Sequence, residues 1–113
     1  MTYLPQWNPV TILKQAGITG TPDGMETTIT TYTALNNATI SDLLCSATDY
    51  AKFNVYVNTN LVFVMRSGPS RNVNFPIQFS LQLTAADVLD VKIIHYNSGV
   101  GVDSDVTILG VDV

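Results

Sequence analysis

The clearest pattern in the chain is an alternation of apolar and polar residues between Asn72 and Thr84. The apolar residues stand at every second position: Val73, Phe75, Ile77, Phe79, Leu81 and Leu83. Because successive side chains of a strand point to opposite faces, this spacing predicts a strand with one buried face. The other face carries Pro76 with amide and hydroxyl groups, but no charge. Such a strand is stable only against a second layer, so the pattern predicts packed sheets.

Six further segments have strand-forming composition, with turn residues between them. They are residues 27–35, 38–46, 53–57, 61–66, 88–96 and 105–113. A turn signal about every ten residues is typical of antiparallel sandwiches and barrels. Segment 61–66 is apolar on both faces, which predicts a central strand or one contacted on both sides. We therefore predict an all-β fold, an antiparallel β-sandwich of jelly-roll or immunoglobulin-like type with about seven to eight strands.

Residues 1–24 lack this pattern and are interrupted by prolines and glycines. They predict an irregular N-terminal docking arm in front of a sandwich domain of residues 25–113. Within the arm, residues 10–16 suit a short helix or an extended run, and residues 18–24 suit turns. Trp7 needs burial, either under its own sandwich or on a neighbouring subunit. The arm residues predicted to bind a partner are Tyr3, Leu4, Trp7, Val10, Ile12 and Leu13.

Pro76 sets a limit on the position of its own strand. Since proline has no N–H to donate, the strand must lie at a sheet edge there or carry a bulge. An exposed edge with an uncharged face is a surface on which another subunit can dock. The sequence therefore predicts a subunit contact along this edge and the loop before it, at Arg71, Asn74 and Pro76.

The low charge of the chain narrows the classes of partner. Charged residues make up 12% of the sequence, against roughly 25% in an average domain, which favours protein contacts because few ions must lose water. A net charge of −4 with five Lys and Arg residues argues against nucleic-acid binding. The longest apolar run, LVFVM, is too short for a membrane helix, and the N-terminus lacks a signal peptide pattern. The single cysteine, Cys45, suits synthesis in a reducing cytoplasm.

No motif for catalysis or cofactor binding is present in the sequence. His95, the only histidine, is interpreted as structural, and Cys45 as a small buried apolar residue. A hydrolase would have His95 as its one plausible base. Asp103 and Asp105 have alternate spacing but supply too few oxygens for calcium. We therefore predict no enzyme activity, no cofactor and no metal site.

A second interpretation is recognition of a glycan at one end of the sandwich. Tyr and Asn are common in recognition loops, although exposed amides are also common on ordinary polar strand faces. The residues that suit this role are Tyr56, Tyr96, Asn54, Asn58 and Asn97, together with Arg71 from the loop of residues 67–71.

Residues 50–96 resemble small all-β virion proteins of tailed bacteriophages. The resemblance rests on FNVYVNTNLVFV, SGPSRNVNFPI and LTAADVLDVKIIHY, and covers under half of the chain. Many such sequences carry Gly before the aspartate of the last motif, where this chain has Ala86. The resemblance implies a non-enzymatic virion protein made in the host cytoplasm, either a capsid decoration (cement) protein or part of a tail fibre or baseplate. It also implies capsid or tail proteins as partners, and a homo-oligomer, often a trimer.

Overall fold

The computed structural model describes residues 10–67, 72–97, 99 and 101–113, and for residues 72–80 it describes the backbone alone. These residues form eight strands. In chain order they are β1 (Val10–Thr21), β2 (Thr27–Thr33), β3 (Ala38–Ala47), β4 (Ala51–Val57), β5 (Asn60–Ser67), β6 (Asn72–Leu83), β7 (Val88–Ile94) and β8 (Val102–Asp112). The seven predicted strands correspond to β2–β8.

The strands form two four-stranded sheets with orders β1-β8-β3-β6 and β2-β7-β4-β5. All neighbours are antiparallel. The first strand pairs with the last, the second with the seventh, the third with the sixth and the fourth with the fifth. The chain is thus a long antiparallel ribbon folded over itself, with consecutive strand pairs assigned to alternate sheets. This connectivity is that of a jelly roll, so the predicted β-sandwich is confirmed.

The core is built from alternate residues of the facing strands, as the predicted period of two requires. On β7, Leu89, Val91 and Ile93 are fully buried, and on β4 Phe53 and Val55 lie inside with them. The opposite sheet contributes further fully buried side chains. These are Ile40 and Leu43 on β3, Leu83 at the end of β6, and Val102, Val106 and Ile108 on β8. Cys45 is also buried, as predicted, and burial raises the pKa of its thiol to about 12.

Strand β1 replaces most of the predicted irregular arm. Val10–Thr21 pairs along its length with β8, so the extended alternative for residues 10–16 is confirmed, while the helix alternative and the turns predicted over residues 18–21 are wrong. Ile12 lies in the core at 3% exposure and cannot be a partner contact, whereas Val10 and Leu13 are exposed. Lys14 donates a hydrogen bond to the carbonyl of Thr31, which joins β1 to the edge of the second sheet.

Strand β6 lies at the edge of the first sheet, as Pro76 predicts. Its register with β3 jumps between the pairs Ile40–Leu81 and Asp42–Pro76, so the proline lies beside an irregularity. A proline without an N–H can stand in a strand at a sheet edge or at a bulge, and β6 has both features.

Strand β5 lies at an edge of the second sheet, and among the described strands it pairs only with β4. The prediction of a central position for residues 61–66 is therefore wrong. One apolar face of this strand packs on the core, and its other apolar face stays exposed. The register shifts between the pairs Tyr56–Leu61 and Val55–Phe63, which leaves Val62 as an extra residue in a bulge.

The turn between β6 and β7 contains Ala86 at a φ of 72°, where side chains cost roughly 1–2 kcal/mol and glycine does not. We expect Ala86→Gly to stabilise the domain by about 0.5 kcal/mol, because relief of this strain exceeds the entropy that glycine adds to the unfolded chain. Urea unfolding should show a higher midpoint at an unchanged slope. The neighbouring Ala85→Gly is the control and should destabilise. A loss of stability in both variants would contradict the strain at Ala86.

Candidate functional site

An apolar patch covers the exposed side of β5. It consists of Leu61, Val62 and Val64, which are 52%, 42% and 42% exposed. The bulge at Val62 interrupts the row of free backbone groups along this edge. A partner on this surface would therefore contact side chains rather than extend the sheet. We name these three residues the β5 patch.

A polar network borders the β5 patch on the outer face of the same sheet. Asn54 Nδ2 and the Tyr56 hydroxyl both donate to Glu26 Oε2, each at 2.7 Å. Lys92 Nζ lies 4.9 Å from the centre of the Tyr56 ring. The hydrogen bond from Tyr56 is the main reason that the pKa of Glu26 falls below its ordinary value, and the same bond raises the pKa of Tyr56. The patch thus has a rim that carries both signs of charge.

A pocket of about 360 Å³ lies at the end of this sheet, away from the β4–β5 turn. Lys52 pairs in register with Arg66 on β5 and with Ile94 on β7, and all three line the pocket. Tyr50 precedes β4 and Tyr96 follows β7, and both tyrosines stand at the mouth with most of their surface exposed. We name this the end pocket.

His95 lies beneath the end pocket and is 2% exposed. The backbone N–H of Asn97 donates to its Nδ1 at 3.2 Å, so the proton is on Nε2, which donates to the Thr21 carbonyl at 2.5 Å. Both ring nitrogens are held by backbone groups and fix the chain at the pocket wall. This geometry agrees with the structural role that the sequence predicts for His95.

The end pocket brings together two of the residues predicted for glycan recognition, Tyr96 and Asn97. The other three lie elsewhere, so their predicted position at the same end is wrong. Asn54 and Tyr56 belong to the network on the outer face. Asn58 is at the β4–β5 turn, where its side chain donates to Asp87 and accepts from the Val88 N–H.

The other predicted contact residues are only partly described. Tyr3, Leu4, Trp7 and Arg71 lie outside the described residues. The backbone of Asn74 and Pro76 is described and pairs with Leu44 and Asp42 on the edge strand β6.

Asp103, one of the two acidic residues weighed as calcium ligands, has a structural partner. Asp103 Oδ1 accepts a hydrogen bond from the Gly20 N–H at 2.8 Å. Within the described ranges, no group of three or more His, Cys, Asp or Glu residues could hold a metal ion.

Sequence reasoning missed Lys52, Arg66 and Tyr50 as pocket residues. Counting back from the β4–β5 turn in a regular hairpin pairs Lys52 with Met65. The bulge at Val62 moves every later pair by one residue and puts Arg66 opposite Lys52. No signal in the sequence marks this bulge.

Comparison with known proteins does not extend the assignment beyond the fold. The sequence matches no protein-family model, and a search of curated proteins finds no related sequence. In the part of the chain that the structure describes, no helix is long and apolar enough to cross a bilayer.

Proposed function

We propose that this chain is a non-enzymatic structural subunit of a virion, a capsid decoration or appendage protein that associates with copies of itself. The observation that carries the proposal is the β5 patch, three apolar side chains left open on an edge strand. Exposed apolar groups with a polar rim are the usual composition of a protein interface. The jelly roll adds support, since viral capsid domains use this architecture, although a fold alone does not assign a function.

A second copy of the chain is the partner that best fits the β5 patch. A symmetric contact places the same surface on both subunits, so that surface must be complementary to itself. The rim meets this condition because it carries the acidic Glu26 and the basic Lys92 around one tyrosine. In a two-fold contact, each acid can face the base of the other copy. A trimer requires the β5 patch to meet a different surface of the next subunit.

We expect Val64→Lys to weaken self-association by at least about tenfold, because it buries an unpaired charge in the contact. Light scattering over a concentration series should show a wild-type oligomer and a variant shifted toward the monomer. Val111→Lys is the matched control, since Val111 is 40% exposed on the other sheet. It should leave the mass unchanged. A wild-type monomer at about 1 mM, where even weak contacts form, would refute the proposed contact.

The virion role itself is tested on particles. The predicted arm retains residues 1–9, because Val10–Thr21 belongs to the sheet. In the proposal, Tyr3, Leu4 and Trp7 bind capsid or tail, so deletion of residues 1–9 should abolish incorporation into phage particles while the sandwich stays folded. Mass spectrometry of purified particles measures incorporation. Absence of the full-length chain from the particles, or undiminished incorporation of the truncated chain, would contradict this role.

The second candidate function is a carbohydrate-binding module of a tail fibre or baseplate. The specific observation in its favour is the end pocket, where two exposed tyrosines stand beside Asn97 and the cationic side chains of Lys52 and Arg66. Tyrosine and asparagine supply ring faces and adaptable hydrogen bonds for recognition. This function and self-association through the β5 patch use different residues, so one chain can perform both.

A further inference from the structure

We infer that the end pocket binds an acidic sugar, a saccharide ring that carries a carboxylate. This inference deepens the carbohydrate-binding candidate and does not depend on self-association through the β5 patch. It rests on three separate properties of the pocket, which are its charge, its aromatic mouth and the hydrogen bonds that join its walls.

The charge of the pocket is opposite to that of the protein. The chain has a net charge of −4 and only five Lys and Arg residues, yet Lys52 and Arg66 stand side by side in the pocket. Its nine described lining residues include no Asp or Glu. Two carboxylates lie near it: that of Asp49, which accepts the Tyr50 N–H at 2.7 Å, and that of Glu26, which is attracted by the charge of Lys52 but binds Asn54 and Tyr56. A guanidinium fork matches the two oxygens of a carboxylate, so this pair selects an anionic ligand.

The mouth of the pocket selects a ring with an apolar face. Tyr50 and Tyr96 are 64% and 75% exposed, which is unusual for large aromatic side chains with no covering partner in the described structure. Aromatic rings offer a wide apolar face together with a polar hydroxyl. A pyranose ring has the same character, with C–H groups on its faces and hydroxyls at its edge. A small inorganic anion would leave both rings unused.

Hydrogen bonds join the walls of the pocket to one another. Asn97 Nδ2 donates to the Tyr50 carbonyl at 2.7 Å, so the segments on either side of the mouth are tied together. The Asn97 N–H is held by His95, which is anchored in turn to Thr21. A site fixed in this way loses little conformational entropy on binding.

The size of the pocket also fits one sugar residue. The volume of about 360 Å³ is near the lower end of the roughly 300–1,000 Å³ common for ligand sites.

The test is titration of the ¹⁵N-labelled protein with glucuronic acid, followed by amide shifts in NMR spectra. We expect the amides of Tyr50, Tyr96 and Asn97 to shift with a Kd of about 1–10 mM, the range for a single small ring. Glucose has the sugar ring but no carboxylate, so it measures the contribution of the carboxylate to binding. Acetate has a carboxylate but no ring, so it measures the contribution of the ring. Each should bind at least about tenfold more weakly, because each lacks one of the two recognised features.

Three variants assign the binding to the pocket. Arg66→Gln should weaken glucuronate binding about tenfold or more, and Tyr96→Ala roughly three- to tenfold. Lys14→Gln removes the same charge on β1, away from the pocket, and should leave the Kd unchanged. The mass of Arg66→Gln by light scattering should match the wild type, which separates this site from the β5 patch.

Several results would overturn the inference. Acetate binding as tight as glucuronate would mean an adventitious anion site without ring recognition. Glucose binding as tight as glucuronate would remove the role of Lys52 and Arg66. No shift of the pocket amides at about 50 mM glucuronate, far above the expected Kd, or equal weakening by Lys14→Gln and Arg66→Gln, would also refute it.

Discussion

Gly110→Ala should be the most damaging single substitution in the described structure. A Cβ at this position would lie 2.1 Å from the carbonyl oxygen of Thr39 and 3.0 Å from the Cα of Ile40. Both are backbone atoms of β3, which is hydrogen-bonded to strands on each side. They cannot rotate away as the end of a side chain can. We expect a loss of roughly 4 kcal/mol or more, since the central pairing of the first sheet must move.

Thermal unfolding followed by circular dichroism measures this effect. For a domain of this size, a loss of 4 kcal/mol should lower Tm by about 15 °C or more. Gly17→Ala on β1 is the control, because its nearest clash is with the flexible carboxylate of Asp105, and the nearest backbone atom, the Ser104 carbonyl oxygen, is 3.0 Å away. It should cost less than about 1.5 kcal/mol. Equal losses in the two variants would show that the close approach of Gly110 to β3 is not the cause.

The close approach at Gly110 also shows where sequence reasoning reaches its limit. The register of β3 shifts between Ile40 and Asp42 against both of its neighbours, and Gly110 pairs with Ile40 at that point. A glycine inside a strand is compatible with a bulge or a close contact. Which backbone it meets depends on a pairing between residues 70 positions apart, and no local pattern specifies this pairing.

The missed strand β1 has a local physical reason. Ile12, Ala16 and Ile18 share one parity and pack inward, but Lys14 breaks the alternation between them. A lysine is tolerated at this position because β1 is an edge strand, and its amine reaches the Thr31 carbonyl on the other sheet. Lys14 therefore hides the alternation by which the other strands were predicted, among them the edge strands β2, β5 and β6, and this is why β1 was missed.

The candidate surfaces were predictable only in part, because they depend on strand register and sheet order as well as on residue type. The aromatic and amide residues at the end of β7 were recognised by type, and Tyr96 and Asn97 do line the end pocket. The cationic residues beside them, Lys52 and Arg66, belong to the β4–β5 hairpin, and the bulge in this hairpin shifts the register that pairs them. The β5 patch was visible as an apolar run, but its exposure follows from the edge position that the whole sheet order determines.

Asp112→Asn should cause the second large loss of stability, about 2–3 kcal/mol, because a buried charged acceptor is replaced by a group that donates on one side. Asp112 is 1% exposed. Its Oδ2 accepts from the Tyr32 hydroxyl at 2.5 Å and the Leu35 N–H at 2.8 Å, and its Oδ1 accepts from the Asn36 N–H at 3.0 Å. An asparagine must turn its NH₂ group toward at least one of these donors.

Urea unfolding at neutral pH measures the loss, with Asp105→Asn as the control on the same strand. Asp105 is exposed, so its substitution should change the unfolding free energy by less than about 0.5 kcal/mol. The slope against urea should stay constant in both variants, since the folded structure is retained. A change below 0.5 kcal/mol in Asp112→Asn would show that the three hydrogen bonds do not stabilise the fold.

The pH dependence of stability gives an independent check on the same carboxylate. Burial favours a higher pKa for Asp112, but the hydrogen bonds from Tyr32, Leu35 and Asn36 outweigh it, and the pKa lies below its ordinary value. A lowered pKa in the folded state means that this stabilisation is complete above the ordinary value of about 4 and is lost at lower pH. Asp112→Asn should therefore lose less stability than the wild type on acidification.

Tyr32 should produce the opposite dependence at alkaline pH. Burial is the largest cause that raises the pKa of its hydroxyl to about 12, followed by its hydrogen bond to Asp112 and the charge of that carboxylate. A raised pKa means that the stabilisation is complete below the ordinary value of about 10 and is lost as the pH rises toward 12. Tyr32→Phe removes this hydroxyl, so its unfolding free energy should fall less than that of the wild type between pH 10 and 12. An equal fall in both proteins would mean that ionisation of Tyr32 is not linked to unfolding.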